Sequence, residues 1–127
     1  MKVVIAFIRN NKNELLITQR ALNTPYGGYW ELPGGKVHND EDHHDAVQRE
    51  LKEELGINIS GPYLFEILNL EHEFILFDVK FDEQPIDLNA GQLNYQWKNI
   101  EDIDMSVFPP SNTFFFKAWK KYILDAN

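Results

Sequence analysis

The chain has 127 residues, a formal net charge of −8 at pH 7, 43% hydrophobic residues and no cysteine. That length suits one domain, residues 1–127, with a sizeable core, and the composition argues against disorder. The acidic balance argues against a broad phosphate-tracking surface for DNA or RNA, and without cysteine there is neither a disulfide nor thiolate chemistry.

A small phosphorylated ligand stays compatible with that charge, provided a metal cation supplies the missing positive charge. No apolar run approaches the roughly 18–20 residues of a membrane span. The opening "MKVVIAFI" is too short for a signal peptide and lacks a cleavage site. The expectation is a soluble, cytoplasmic protein with no membrane partner.

Residues 3–9, "VVIAFIR", are β-branched and aromatic and predict a buried strand. "NNKN" at 10–13 is turn chemistry, and "ELLITQR" at 14–20 predicts the returning arm of a hairpin. A loop with Pro25, Gly27 and Gly28 leads into "WELPGGKV" at 30–37 and the polar "HNDED". A helix follows, with Asp42 as N-cap and Asp45 near its positive end. Ala46, Val47, Leu51 and Leu55 form its apolar stripe, and Gly56 sits where a left-handed cap belongs. After "SGP" at 60–62, residues 63–81 hold two strand-like arms, 82–94 form a loop and 95–100 a last strand. The turn "SVFPPSN" at 106–112 hands over to a C-terminal helix with Phe115, Ala118, Trp119, Tyr122 and Ile123 at helical spacing. This order predicts a mixed sheet with helices packed on it.

"RELKEELG" at 49–56 carries Glu50, Glu53 and Glu54 on one helical face, where like charges at i and i+4 oppose the helix. A Glu-Glu pair alone is usually a solvated face. Here Gly34 and Gly35 follow Pro33, so a backbone able to approach a ligand closely runs directly into the helix start. Carboxylates facing such a loop form an oxygen-rich site of the kind Mg²⁺ or Mn²⁺ requires, and a cation would relieve their repulsion. Lys36, beside the glycines, is expected to neutralise a phosphate.

From Gly35 to Ile57 the chain reads G-KVHND-E-DHHDAVQ-R-E-L-K-E-E-L-G-I. It resembles, without departure, the Nudix box G-x5-E-x7-R-E-U-x-E-E-x-G-U, where U is aliphatic. The flanking "ITQR", "WELPGGKV", "GQ" at 91–92 ahead of Trp97, and "FPPSN" at 108–112 look like the MutT branch of that family. The resemblance implies an α+β Nudix fold, a mixed sheet between the box helix and the C-terminal helix in an α/β/α sandwich. It implies Mg²⁺-dependent hydrolysis (Mn²⁺ substituting) of a nucleoside triphosphate to the monophosphate and pyrophosphate. The best-matching substrate is 8-oxo-dGTP, and the protein is expected to act as a monomer. The alternatives are a Nudix hydrolase for CTP, a dinucleoside polyphosphate or ADP-ribose, or a non-catalytic nucleotide-binding module.

By the same resemblance the metal ligands are Gly35 through its carbonyl, Glu50, Glu53 and Glu54. Glu50 serves as ligand or general base. Arg49 pairs with Glu41 to orient the catalytic carboxylates, against the plainer reading of an i,i+4 pair with Glu53. Arg20 and Lys36 bind the substrate, and Asn112 reads its oxidised base unless it, or Ser111, is only a helix cap. One departure stands out: MutT enzymes carry a glutamate just before "GQ", where this chain has Ala90. Asp87 and Glu83 are the acids of that loop that would have to substitute. A second is that "LEHEF" at 70–74 is shorter than the matching MutT turn. His38, His43 and His44 fit no zinc spacing and are expected to be solvated, and the aromatics of "FFFKAW" at 114–119 to be core.

Overall fold

The computed structural model describes residues 1–125. Seven strands form one sheet: β1 (Lys2–Arg9), β2 (Leu15–Gln19), β3 (Trp30–Glu31), β4 (Gly34–Lys36), β5 (Tyr63–Asn69), β6 (Glu73–Lys80) and β7 (Asn94–Lys98). Two helices, α1 (His43–Leu55) and α2 (Asn112–Asp125), cover its two faces. The fold is an α+β sandwich.

β1 is the central strand. It runs parallel to β6, from Lys2 opposite Glu73 to Arg9 opposite Lys80, and antiparallel to β4 and to the start of β2. Both of its faces are buried, which is why it reads as a continuous apolar run rather than an alternation. Val4, Ala6 and Ile8 meet α1 through Ala46, Val47, Leu51 and Leu55. Ile5 and Phe7 meet α2 through Phe115, Phe116 and Trp119.

The stretch 30–37, expected as one segment, is two short strands on different partners. β3 pairs with β2 and β4 with β1. Pro33 breaks the ladder because it has no N–H, and its carbonyl accepts instead from Ala6 N at 2.8 Å. The last strand stops at Lys98 rather than Ile100, and the chain turns through two short 3₁₀ segments at 100–102 and 105–107. α1 starts and stops on its expected caps. Asp42 Oδ2 accepts from the amides of His44 (3.0 Å) and Asp45 (3.4 Å). Gly56 closes the helix at φ 67°.

Candidate active site

Arg49 is the hub of the polar face of α1. Its Nε and Nη2 donate to the two carboxylate oxygens of Glu41 at 2.7 and 3.0 Å, the fork geometry only a guanidinium offers. Nη2 also donates to the Lys36 carbonyl (2.9 Å), and Nη1 to Glu50 (3.0 Å) and Glu53 (3.2 Å). Arg49 thus ties the box helix to β4 and to the 38–42 loop. These bonds hold the Glu41 carboxyl down at about 2, the Arg49 hydrogen bond being the largest cause and the His38 amide the next.

Glu54 lies deeper. Burial pushes its carboxyl up to about 9, and the charges of Glu50 and Glu31 push in the same direction. A hydrogen bond shared with Glu50 adds to this, while the Gly34 amide pulls the other way. Gln92 Nε2 donates to Glu54 Oε2 at 3.4 Å. Glu31 is itself raised, by burial first, against the opposing pull of Arg20, which donates to it at 2.5 Å.

A cleft of about 510 Å³ opens beside this cluster. Arg20, Glu31, Gly34 and Gly35 line it, together with the apolar Ile5, Leu32, Phe74 and Phe115 and the polar His72 and Asn112. Asn112 is 6% exposed. Its Nδ2 donates to the Pro109 carbonyl (3.3 Å), whereas an N-cap side chain accepts from an amide. The capping alternative for Asn112 therefore loses its support.

The expected residues do not all meet. Lys36 has an exposed side chain and does not line the cleft; what it gives the site is its carbonyl, to Arg49. Glu53 is 58% exposed at its side chain and turned to Arg49. Among the described residues no three acidic or histidine side chains converge on one point at metal-binding spacing. Arg49 engages Glu41, Glu50 and Glu53, and Gln92 engages Glu54. The donor set still fits a hard divalent cation, since Glu50 and Glu54 are already in contact. Gly35 leaves open the space before Glu50: a β-carbon there would lie 2.3 Å from the Glu50 carboxyl carbon.

Ala90 is exposed, at the position where the acid is missing. Asp87 sits beside Gly56 at the end of α1, and both Asp87 and Glu83 are exposed. His44 lays its ring edge-on against Phe77, and His38 offers its amide to Glu41. The aromatics of 114–119 divide: Phe115, Phe116 and Trp119 are core, but Phe114 is 53% exposed. Two residues of the site were not singled out from the sequence, Glu31 and Gln92. Both stand inside quoted motifs, "WELPGG" and "GQ", and that is the only local signal for them.

A glycine-bearing strand set against a carboxylate-bearing helix, beside a cleft lined by acid and amide side chains, is a layout suited to metal-assisted hydrolysis of a phosphorylated ligand. The NUDIX domain family profile matches residues 1–117, and the chain belongs to the Nudix family of hydrolases. An 8-oxo-dGTP diphosphatase of Escherichia coli (strain K12) is 33% identical over 118 residues, covering 88% of this chain and 90% of that protein. A CTP pyrophosphohydrolase of the same organism is 42% identical over 62 residues, covering 48% and 46%. The MutT protein of Methanosarcina mazei Go1 superposes with a TM-score of 0.78 at 27% identity, over all of this chain and 95% of that one.

Proposed function

We propose that this protein is a Mg²⁺-dependent nucleoside triphosphate pyrophosphohydrolase, with Mn²⁺ as substitute, that prefers 8-oxo-dGTP and works as a cytoplasmic monomer in nucleotide-pool sanitation. The observation that carries this reading is that Glu31, Gly34, Gly35 and the buried Asn112 line one cleft. It offers groups to the phosphates and to the base of one nucleotide. The identity with the E. coli diphosphatase over most of both chains supports it.

Glu50, Glu53, Glu54 and the Gly35 carbonyl would hold the cation. When bound, it polarises the phosphate oxygens and lowers the pKa of a coordinated water. Water attacks the β-phosphorus, the bond from that phosphorus to the α,β-bridging oxygen breaks, and the monophosphate leaves as pyrophosphate forms. Arg49, locked by Glu41, keeps Glu50 and Glu53 in place. Arg20 lines the cleft, where its charge meets the phosphates. Lys36, outside the cleft, is left a peripheral part in phosphate binding.

Asn112 has one N–H engaged with Pro109, which fixes its amide and leaves the carbonyl and second N–H for a ligand. The carbonyl accepts the N7 hydrogen that 8-oxoguanine has and guanine lacks, and the N–H reaches O6. A buried mismatch of this kind is worth about 1–3 kcal/mol, or roughly tenfold to a hundredfold in selectivity.

The test is pyrophosphate release across a nucleotide panel with Mg²⁺. Glu54→Gln should cost orders of magnitude in kcat, and Asn112→Ala should raise KM for 8-oxo-dGTP far more than for dGTP. Full activity in EDTA removes the metal mechanism. A wild-type preference for CTP, the substrate class of the second E. coli relative, removes the 8-oxoguanine assignment and leaves the chemistry.

A further inference from the structure

We infer that Gln92 is a positioning residue for Glu54, orienting its carboxylate for the cation from the loop that follows Ala90; this rests on the reading of Glu54 as a metal ligand. Among the described residues, Gln92 is the sole side-chain N–H donor to Glu54. Its place is built rather than incidental. On one side of the loop the amides of Asp87 and Asn89 bond to the carbonyls of Leu55 and Glu54, each at 2.9 Å. On the other, Leu93 N bonds to the Gln19 carbonyl on β2, also at 2.9 Å. Gly91, at φ 86°, makes the turn between these clamps, a conformation that favours glycine. Gln92 is therefore held between the end of the box helix and the sheet.

The amide is a poor choice for packing alone. Its Oε1 is buried and has no partner, a cost that an apolar side chain of the same shape would avoid. Its N–H side is what the site uses. Donation to Oε2 at 3.4 Å holds Glu54 from the loop side, the task of a group that orients a metal ligand. A neutral amide does not act as a base at neutral pH, so Gln92 works through Glu54 and not on the reacting water.

Mn²⁺ binding followed by electron paramagnetic resonance, without nucleotide, reads this directly. Gln92→Met keeps the length and removes the donor; Gln92→Leu removes it with a shorter, branched side chain. Both should weaken Mn²⁺ binding about tenfold to a hundredfold, the usual effect of losing an outer-shell partner. At saturating Mn²⁺, kcat should fall while KM for the nucleotide stays put. The melting temperature in EDTA should hold or rise, because an orphaned carbonyl leaves with the amide. Wild-type Mn²⁺ affinity in both Gln92 variants, with binding lost in Glu54→Gln, overturns the inference and spares the metal assignment. Wild-type affinity in Glu54→Gln removes the metal assignment and this inference with it.

Discussion

Gly34 and Gly35 are adjacent, and neither has the positive φ that usually explains a glycine. What each needs is space, for different reasons. A β-carbon on Gly34 would lie 2.0 Å from the Val4 carbonyl oxygen and 3.1 Å from the Ile5 α-carbon, both backbone atoms of the central strand. One on Gly35 would first meet the Glu50 carboxylate, at 2.3–2.5 Å, which is the end of a flexible side chain. Gly34→Ala should therefore force β4 off β1 and cost about 1–3 kcal/mol of stability, as overpacking does. Gly35→Ala should fold normally but displace Glu50 and cut kcat at least tenfold, the lower range for disturbing a metal-site shell. Thermal melts paired with kcat separate the two. A Gly35→Ala protein with wild-type turnover would show that Glu50 has no fixed post to lose.

Within α1, one face is fixed by burial and the other by charge. Ala46, Val47, Leu51 and Leu55 are fully buried, so the helix cannot rotate to spread its carboxylates. The metal-free protein should then show its repulsion as a pH dependence. Glu54, raised from 4.5 to about 9, keeps a proton in the folded state that the unfolded chain has already released. Its contribution is complete below pH 4.5 and is lost as pH rises through about 9. Glu41, lowered to about 2, acts in the opposite sense: its contribution is present above 4.5 and lost as pH falls toward 2. In EDTA the melting temperature should be higher at pH 5 than at pH 8. Saturating Mg²⁺ at pH 8 should close the gap, because the cation takes the place of the proton; at 100 times Kd it adds about 2.7 kcal/mol. Equal melting at the two pH values, unmoved by Mg²⁺, would mean that these carboxylates neither repel nor bind.

Across the whole molecule the two faces of the sheet carry different parts of the site. The α1 face holds the carboxylates, while α2 carries Asn112 at its first residue and rests on an aromatic stack. Phe7 lies flat on Trp119, with centroids 4.6 Å apart and planes 8° from parallel. Phe65 meets Trp119 at its edge, and Arg9 sits over the Trp119 ring at 5.2 Å. Trp119→Ala should cost about 3–5 kcal/mol. In the molecules that remain folded it should loosen α2 against the sheet, so that base preference falls more than metal-dependent turnover. Chemical denaturation with kinetics on 8-oxo-dGTP and dGTP checks both. A variant whose selectivity survives would separate base recognition from the α2 core.

The sequence by itself determines what depends on near neighbours. Asp42 caps α1 because its acceptor lies two and three residues from the amides it serves, and Gly56 ends the helix because it can turn left-handed. The same reach of a few residues places Glu50, Glu53 and Glu54 on one side of α1 and makes the Nudix box legible. Tertiary structure decides which of those acids is buried and what surrounds it. Glu31 reaches the site because β3 pairs Glu31 with Thr18. Gln92 reaches Glu54 across 38 positions of chain because a loop docks on the helix end. Lys36, beside the glycines in the chain, is exposed and does not line the cleft that they line. A side chain's neighbours in sequence set its conformation, but its burial, charge environment and partners come from segments folded in from elsewhere.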